Sequence, residues 1–363
     1  MKKYLLITVI LLIIISSGCI YNTNTPKNQT QKLQPPSQGV YHSAYPDFND
    51  SEDVVTSDSI DKFENMVNKS IVWTPFSDNW GRSNINFPKS SVQVIHSQNV
   101  TPYIRLMPVK DVEGSHEAKQ ADPVYNLQNI IDGKFDEKLR MYARDTKNSG
   151  VPIIIDFAPE MNGDWFSWSG KYNGGSIKDK YGDPDLADGP ERYRDAYRHI
   201  INIFREEGAT DVTWVFHVNA NSIPEESWNN YSAYYPGDEY IDWIGFSVYG
   251  PITPDDEWES FNQIMDTSYP QLEGLSPSKP LAVLEFGVMD KDSKKAEWLK
   301  EAFQSIESDK YPRIKAISYW NEAWENDDGS TSDLTLNSSQ DVLNTYKSVI
   351  KSNYFVDKAV FSS

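Results

Sequence analysis

The feature that most restricts this chain is a recurrence. From residue 39 onward, short apolar runs alternate with helix-like stretches. The runs read GVYHSAY from 39, SIVWTPF from 70, TPYIRLM from 101, PIIIDFA from 152, VTWVFHV from 212, IDWIGFSV from 241, LAVLEFG from 281 and IKAISYW from 314. Amphipathic segments lie between them, such as DEKLRMYARDTK from 136, ERYRDAYRHIINIFREEG from 191 and KKAEWLKEAFQSI from 294. Strands that are apolar throughout, separated by amphipathic helices, predict a parallel sheet covered by helices. Eight such units fit an α/β fold of the (β/α)8 TIM-barrel type with enlarged loops. A doubly wound open sheet is the rival architecture, but no Gly-rich phosphate loop follows the first run.

The 363 residues are 39% hydrophobic and carry a formal net charge of −19. That balance speaks against nucleic acid, anionic membrane and polyanionic substrates as partners, whereas a neutral polymer is unaffected. The N-terminus, MKKYLLITVILLIIISSGC, has two lysines, an apolar run from Tyr4 to Ile15, then small residues before Cys19. The run is too short for a mature membrane span and suits an export signal. Residues 1–19 resemble a lipoprotein signal with Cys19 as the lipidated residue, although Ser16 stands where leucine is usual. The rival is an ordinary secretory signal. Cys19 is the single cysteine, so no internal disulfide is expected. Residues 20–38, rich in Asn, Thr, Gln and Pro, read as a polar tether, and 39–363 as one domain. The expected state is a monomer that meets a membrane only through its N-terminal lipid.

The fourth run leads into DFAPEMNGDWFSW, which places Glu160 among aromatic residues. Active sites of such barrels lie at the C-terminal strand ends. Glu160 sits just past the fourth run and Glu285 at the end of the seventh, so both face one bowl. A carboxylate ending an apolar strand is costly unless it is paired or used. A single one would be read as a structural salt bridge; two, with aromatics beside both, point to chemistry. Glycoside hydrolysis needs such a pair: one carboxyl protonates the leaving oxygen, the other attacks or activates water. An ionised partner favours the protonated acid, and loss of its charge on esterification lets the acid serve next as base. Arg105 and Asn162 lie near strand ends and are candidates to bind sugar hydroxyls. Asp183, Asp185 and Asp188, in the acidic loop from 181, could hold calcium, though such loops are usually solvated. The chemistry needs no cofactor and no metal.

FAPEMNGDWFSW also resembles the acid/base segment of glycoside hydrolase family 26, the β-mannanase and related endo-glycanase family of retaining (β/α)8 enzymes. The resemblance runs from about residue 39 to 350 and includes IVWTPFSDNW from 71, GATDVTWVFHVN from 208, YYPGDEYIDWIGFSVYG from 234, KPLAVLEFG from 279 and YPRIKAISYWN from 311. It implies Glu160 as acid/base and Glu285 as nucleophile. Tyr249 matches the tyrosine that hydrogen-bonds the nucleophile, and Trp165 the tryptophan that contacts sugar near the cleavage point. Trp320, ending the eighth strand, is expected as an aromatic floor. Trp73, Trp80, Trp168 and Trp324 are candidates to stack further sugars, with core packing as the rival role for each. Two departures stand out. Pro159 replaces the histidine usual before the acid/base, and Ser247 replaces a frequent aspartate. Proline offers no side-chain hydrogen bond, which makes His217 a candidate replacement. Both changes bear on mannose specificity, and the family also acts on xylan and mixed-linkage glucan. The resulting expectation is a retaining endo-β-glycanase on β-1,4-mannan or a related hemicellulose. A carbohydrate-binding surface lipoprotein and a transglycosylase are the alternatives.

Overall fold

Eight parallel strands carry the fold: β1 (Val40–Tyr45), β2 (Trp73–Asn79), β3 (Thr101–Met107), β4 (Ile153–Phe157), β5 (Val212–Asn219), β6 (Trp243–Tyr249), β7 (Leu281–Gly287) and β8 (Ile314–Trp320). The computed structural model describes residues 31–48, 52–110, 120–326 and 328–362. The segment 1–19 expected as a signal, with Cys19, and most of the expected tether lie outside the described residues. Each strand pairs in parallel with the next from β2 to β8, and β8 pairs with β1. Between β1 and β2 the Val72 N–H donates to the His42 carbonyl at 2.9 Å, closing the sheet on itself. A ninth, two-residue strand at Phe355–Val356 extends β1 on its outer side.

A helix follows every strand: α1 (Ser57–Val67), α2 (Lys89–Ser97), α3 (Asp136–Ser149), α4 (Asp188–Glu206), α5 (Tyr231–Tyr234), α6 (Phe261–Glu273), α7 (Lys295–Glu307) and α8 (Gln340–Ile350). Their ends carry the signals that physics requires. Thr56 and Ser339 cap the first turns of α1 and α8, Ser260 and Gln263 form a capping box on α6, and Gly150 ends α3 in the left-handed region. In α4, Tyr193, Tyr197, Ile200, Ile201 and Phe204 form the buried stripe. Its tyrosines also use their hydroxyls. Tyr193 donates to the Phe157 carbonyl at 3.1 Å and Tyr197 to the Val215 carbonyl at 2.8 Å, fixing the end of β4 and the middle of β5 from outside.

The second strand begins at Trp73 rather than at residue 70 and runs on through Ser77, Asp78 and Asn79, all buried. Polarity hid this end because those side chains find partners on folding: Ser77 meets Arg105 at 3.3 Å inside the barrel, and Tyr142 of α3 donates to Asp78 at 2.8 Å on its outer side.

Part of the expected tether, 20–38, joins the fold. Leu33–Gln34 pair antiparallel with Val360–Phe361. Leu33 is buried against Trp73, Tyr103, Ile154, Val215, Trp243 and Leu284, plugging the N-terminal mouth of the barrel. Trp243 donates to its carbonyl at 3.0 Å, and its own N–H donates to Thr213 at 2.8 Å. One leucine within a polar stretch carries little sequence signal, yet it fills a hole that the barrel geometry creates.

Candidate active site

Glu160 reaches the bowl through an unusual backbone. Ala158 and Glu160 both take left-handed conformations, with φ of 50° and 55°. Each costs an L-residue about 1 kcal/mol or more. The surroundings hold them: Ala158 N–H donates to Leu106 O at 3.1 Å, Glu160 N–H to His217 O at 2.9 Å, and Trp168 Nε1–H to Pro159 O at 2.8 Å. The chain therefore turns sharply at the end of β4, and the glutamate stays 7% exposed instead of leaving with the loop. Trp165 folds back and donates from Nε1 to Glu160 Oε2 at 2.9 Å. Gly163 makes room for that ring, since a Cβ there would stand 2.5 Å from it.

Glu285 comes from β7, where the pairing with β6 shifts register between Phe246 and Ser247. Such irregularities re-aim side chains near barrel rims. Tyr249 Oη donates to Glu285 Oε2 at 3.0 Å, and Arg105 Nε lies 3.3 Å from Oε1. Burial holds the Tyr249 hydroxyl well above its ordinary pKa, with Glu285 and Glu160 adding to the effect, so it remains a donor. Burial also pushes Glu285 up to about 7, with the like charge of Glu160 added and the pull of Arg105 and His217 opposing. Donors distinguish the two: Glu285 faces a guanidinium and a hydroxyl, Glu160 a neutral indole.

Arg105 is itself gripped from several sides. Its Nη1 donates to Glu52 at 2.6 Å and to Ser77 at 3.3 Å, and its guanidinium carbon lies over the Trp320 ring, 5.0 Å from the centroid. The arginine expected to bind sugar hydroxyls is buried and pairs with two carboxylates, while its Nε–H lacks a well-aligned acceptor. Trp320 stacks on Tyr45 with centroids 4.2 Å apart, so neighbours occupy its ring and it forms a wall rather than an open floor.

Three more of the expected sugar-binding residues have other roles. Trp73 lies in the layer around Leu33 at the opposite end of the barrel and cannot meet substrate in the bowl. Asn162 is a loop staple: its Nδ2 donates to Asn219 O at 2.8 Å and its Oδ1 accepts from Asn219 N–H at 2.8 Å. His217 is buried, with Nδ1 2.6 Å from Asp156 and Nε2 2.8 Å from Ser247, so neither ring nitrogen is free to do for a sugar what a histidine at position 159 would do. Tyr103 donates to the same Asp156 at 2.8 Å. Burial works against an imidazolium, but Asp156, with Glu285 and Glu160 beyond it, holds the His217 pKa above its ordinary value. Trp80 and Trp168 are core residues as well. The acidic loop from 181 uses its carboxylates internally: Asp183 accepts from Asp185 N–H, and Asp188 from Lys180 N–H. Among the described residues no acidic or histidine cluster could hold a metal ion.

Two bowl carboxylates, Glu52 and Glu322, were not expected from the sequence. Glu322 lies two residues beyond β8, in WNEAW, where an acidic residue at a strand end was a usable signal. Glu52 sits in the β1–α1 loop with no motif around it. Asp156, inside an isoleucine run, was the visible sign of the buried network.

Comparison with known proteins agrees with this geometry. The model of glycosyl hydrolase family 26 matches residues 119–324. Endoglucanase H of Acetivibrio thermocellus is 32% identical over 229 residues, covering 62% of this chain and 23% of that protein. A mannan endo-1,4-β-mannosidase of Bacillus subtilis is 27% identical over 186 residues, covering 50% of this chain and 42% of the relative. The chain thus spans less than half the length of either relative. In fold it resembles the catalytic domain of a Bacillus sp. JAMB-750 endo-β-1,4-mannanase, with a TM-score of 0.60 at 14% identity, covering 91% of this chain and 87% of that one.

Proposed function

The chain belongs to glycosyl hydrolase family 26, and on that footing we propose that it is a retaining endo-β-glycanase cutting β-1,4-mannan or a related hemicellulose by double displacement. The observation that carries the reading is the unequal solvation of two facing carboxyls. Glu285 accepts from Tyr249 and faces Arg105, the donors an attacking carboxylate needs, whereas among the described residues Glu160 accepts from the Trp165 indole alone. In the first step Glu285 attacks the anomeric carbon while Glu160 delivers its proton to the departing glycosidic oxygen. The resulting ester removes the negative charge beside Glu160, which then takes a proton from water as that water attacks the same carbon. Glu285 leaves as a carboxylate and Glu160 is protonated again, so atoms and charge return to their starting state. Tyr249 and Arg105 hold the carboxylate aimed, and the left-handed backbone at Glu160 holds the acid.

The test is reducing-sugar release by residues 31–363 from mannan, galactomannan, glucomannan, xylan, lichenan and laminarin, with Glu285→Ala as control. Release by wild type alone, with the β-anomer appearing first in proton NMR, supports the reading. Initial α-anomer, or equal release by the variant, sinks it. Retention of a polymer without cleavage would favour a carbohydrate-binding lipoprotein, and oligosaccharides longer than the input would favour a transglycosylase. The proposed setting is export with a lipid at Cys19. Incorporation of labelled palmitate should be lost in Cys19→Ser, and equal labelling of the variant would rule against the anchor.

A further inference from the structure

Glu322 is a buried carboxyl for which the two-carboxylate chemistry has no use. It follows β8 directly and is only 8% exposed. Trp320 Nε1 donates to its Oε2 at 2.8 Å, which pins the group at the rim of the bowl. Arg105 gives its pairing to Glu52 and Glu285 instead, at 2.6 and 3.3 Å. Among the described residues no donor reaches Glu322 Oε1. A carboxyl so placed, held at Oε2 and with no ion pair among the described residues, leaves its second oxygen open to a ligand in the bowl. A second group nearby is also unfinished: Arg105 Nε–H is buried and has no hydrogen-bond partner of good geometry. Two polar groups on one wall, both held from behind, one open at Oε1 and one with an unpartnered N–H, mark a place where a polar ligand fits.

Resting on the glycanase reading, we propose that Glu322 is a substrate-binding residue, whose Oε1 holds a hydroxyl of the sugar that lies along the Tyr45–Trp320 wall beside Glu285. Trp320 couples this grip to the reaction centre, because the same indole is hydrogen-bonded to Glu322 and lies under Arg105. The groups facing Glu322 are Tyr45, Asp47 and Glu52 from the β1 side and Arg105 from β3. Burial pushes Glu322 up to about 8, Glu52 and Asp47 add to the rise, and the Trp320 donor and Arg105 oppose it. At neutral pH the group is therefore a carboxylic acid, and its O–H donates to the sugar while Oε2 accepts from the indole. A neutral donor suits a neutral polymer, and it is lost when the acid ionises. Specificity built this way comes from a directed hydrogen bond, which rejects a sugar whose hydroxyl points elsewhere.

The experiment compares wild type, E322Q and E322A, each as residues 31–363, on whichever polymer wild type cleaves. E322A should raise KM by about tenfold while kcat stays within about threefold, as expected for loss of one buried hydrogen bond. E322Q keeps a donor for the sugar and an acceptor for Trp320, so its KM should stay near wild type at pH 6. Between pH 6 and 9 the wild-type KM should climb while that of E322Q stays flat, a contrast that does not depend on E322A folding. Unchanged KM in E322A, or parallel pH profiles for wild type and E322Q, would overturn the assignment and leave the glycanase reading standing. If wild type cleaves nothing, polymer retention on native affinity gels replaces KM. Retention weakened in E322A supports the assignment, whereas equal retention, or none by wild type, overturns it.

Discussion

At the residue scale the strongest expectation concerns Glu285, whose removal should cost at least about 10³-fold in kcat because the covalent step disappears. Azide should then restore turnover with inverted stereochemistry by filling the vacated space, and an unaltered rate in Glu285→Ala would refute the nucleophile assignment. The pH profile follows from the same side chain. A nucleophile must be ionised, and burial pushes Glu285 up to about 7. Activity in kcat/KM should therefore fall as pH drops through that region. Arg105→Met removes the cation 3.3 Å from Glu285 and should move this acid limb upward by about one unit. An unmoved limb would mean that Arg105 only fills space. Gly163→Ala is a subtler probe: the new methyl would press on the Trp165 ring, freeing Glu160 Oε2 from its indole donor. We expect about a tenfold loss in kcat with little change in melting temperature. A large loss of stability with normal kcat would instead assign Gly163 to packing.

At the element scale the N-terminal strand is the part whose role is easiest to separate from catalysis. Leu33 fills the barrel floor, at the end opposite the carboxylates. Leu33→Ala should lower unfolding stability by about 2 to 5 kcal/mol, as core leucine truncations do, and leave kcat unchanged. Equal stability by chemical denaturation would show that the strand merely rests there. This strand also shows how far local pattern reaches. Its pairing partner, Val360–Phe361, lies at the far end of the chain, so no window of sequence contains both halves. The strands β3, β7 and β8, by contrast, occupy the same residues as the apolar runs, because a barrel strand buried on both faces needs apolar side chains along its whole length. β2 slid by three residues, where buried polar residues imitate a loop, and β6 begins two residues later than its run.

At the scale of the whole molecule, buried acids and net charge act in one direction. Glu285 and Glu322 have folded pKa values of about 7 and about 8, above the ordinary value of 4.5. Groups raised on folding contribute stability that is complete below the unfolded value and lost as pH rises through the folded one. The net charge of −19 adds self-repulsion at neutral pH and above. The melting temperature should therefore be higher near pH 5 than near pH 8.5, and E322Q should recover part of the difference; a flat calorimetric profile would contradict this. The barrel, the ends of most strands and the two glutamates of the bowl were legible in the chain alone. Those features are written in local periodicity and in residues that are expensive unless used. Which polar side chains face the substrate, and which hold one another, emerged only on folding. Arg105, Asn162 and His217 looked alike in sequence, each a polar residue close to a strand end. Their roles separated when the β1–α1 loop, β5, β4 and β6 brought Glu52, Asn219, Asp156 and Ser247 within hydrogen-bonding reach. A side chain's function depends on which partners it meets in the fold, and those partners come from distant parts of the chain.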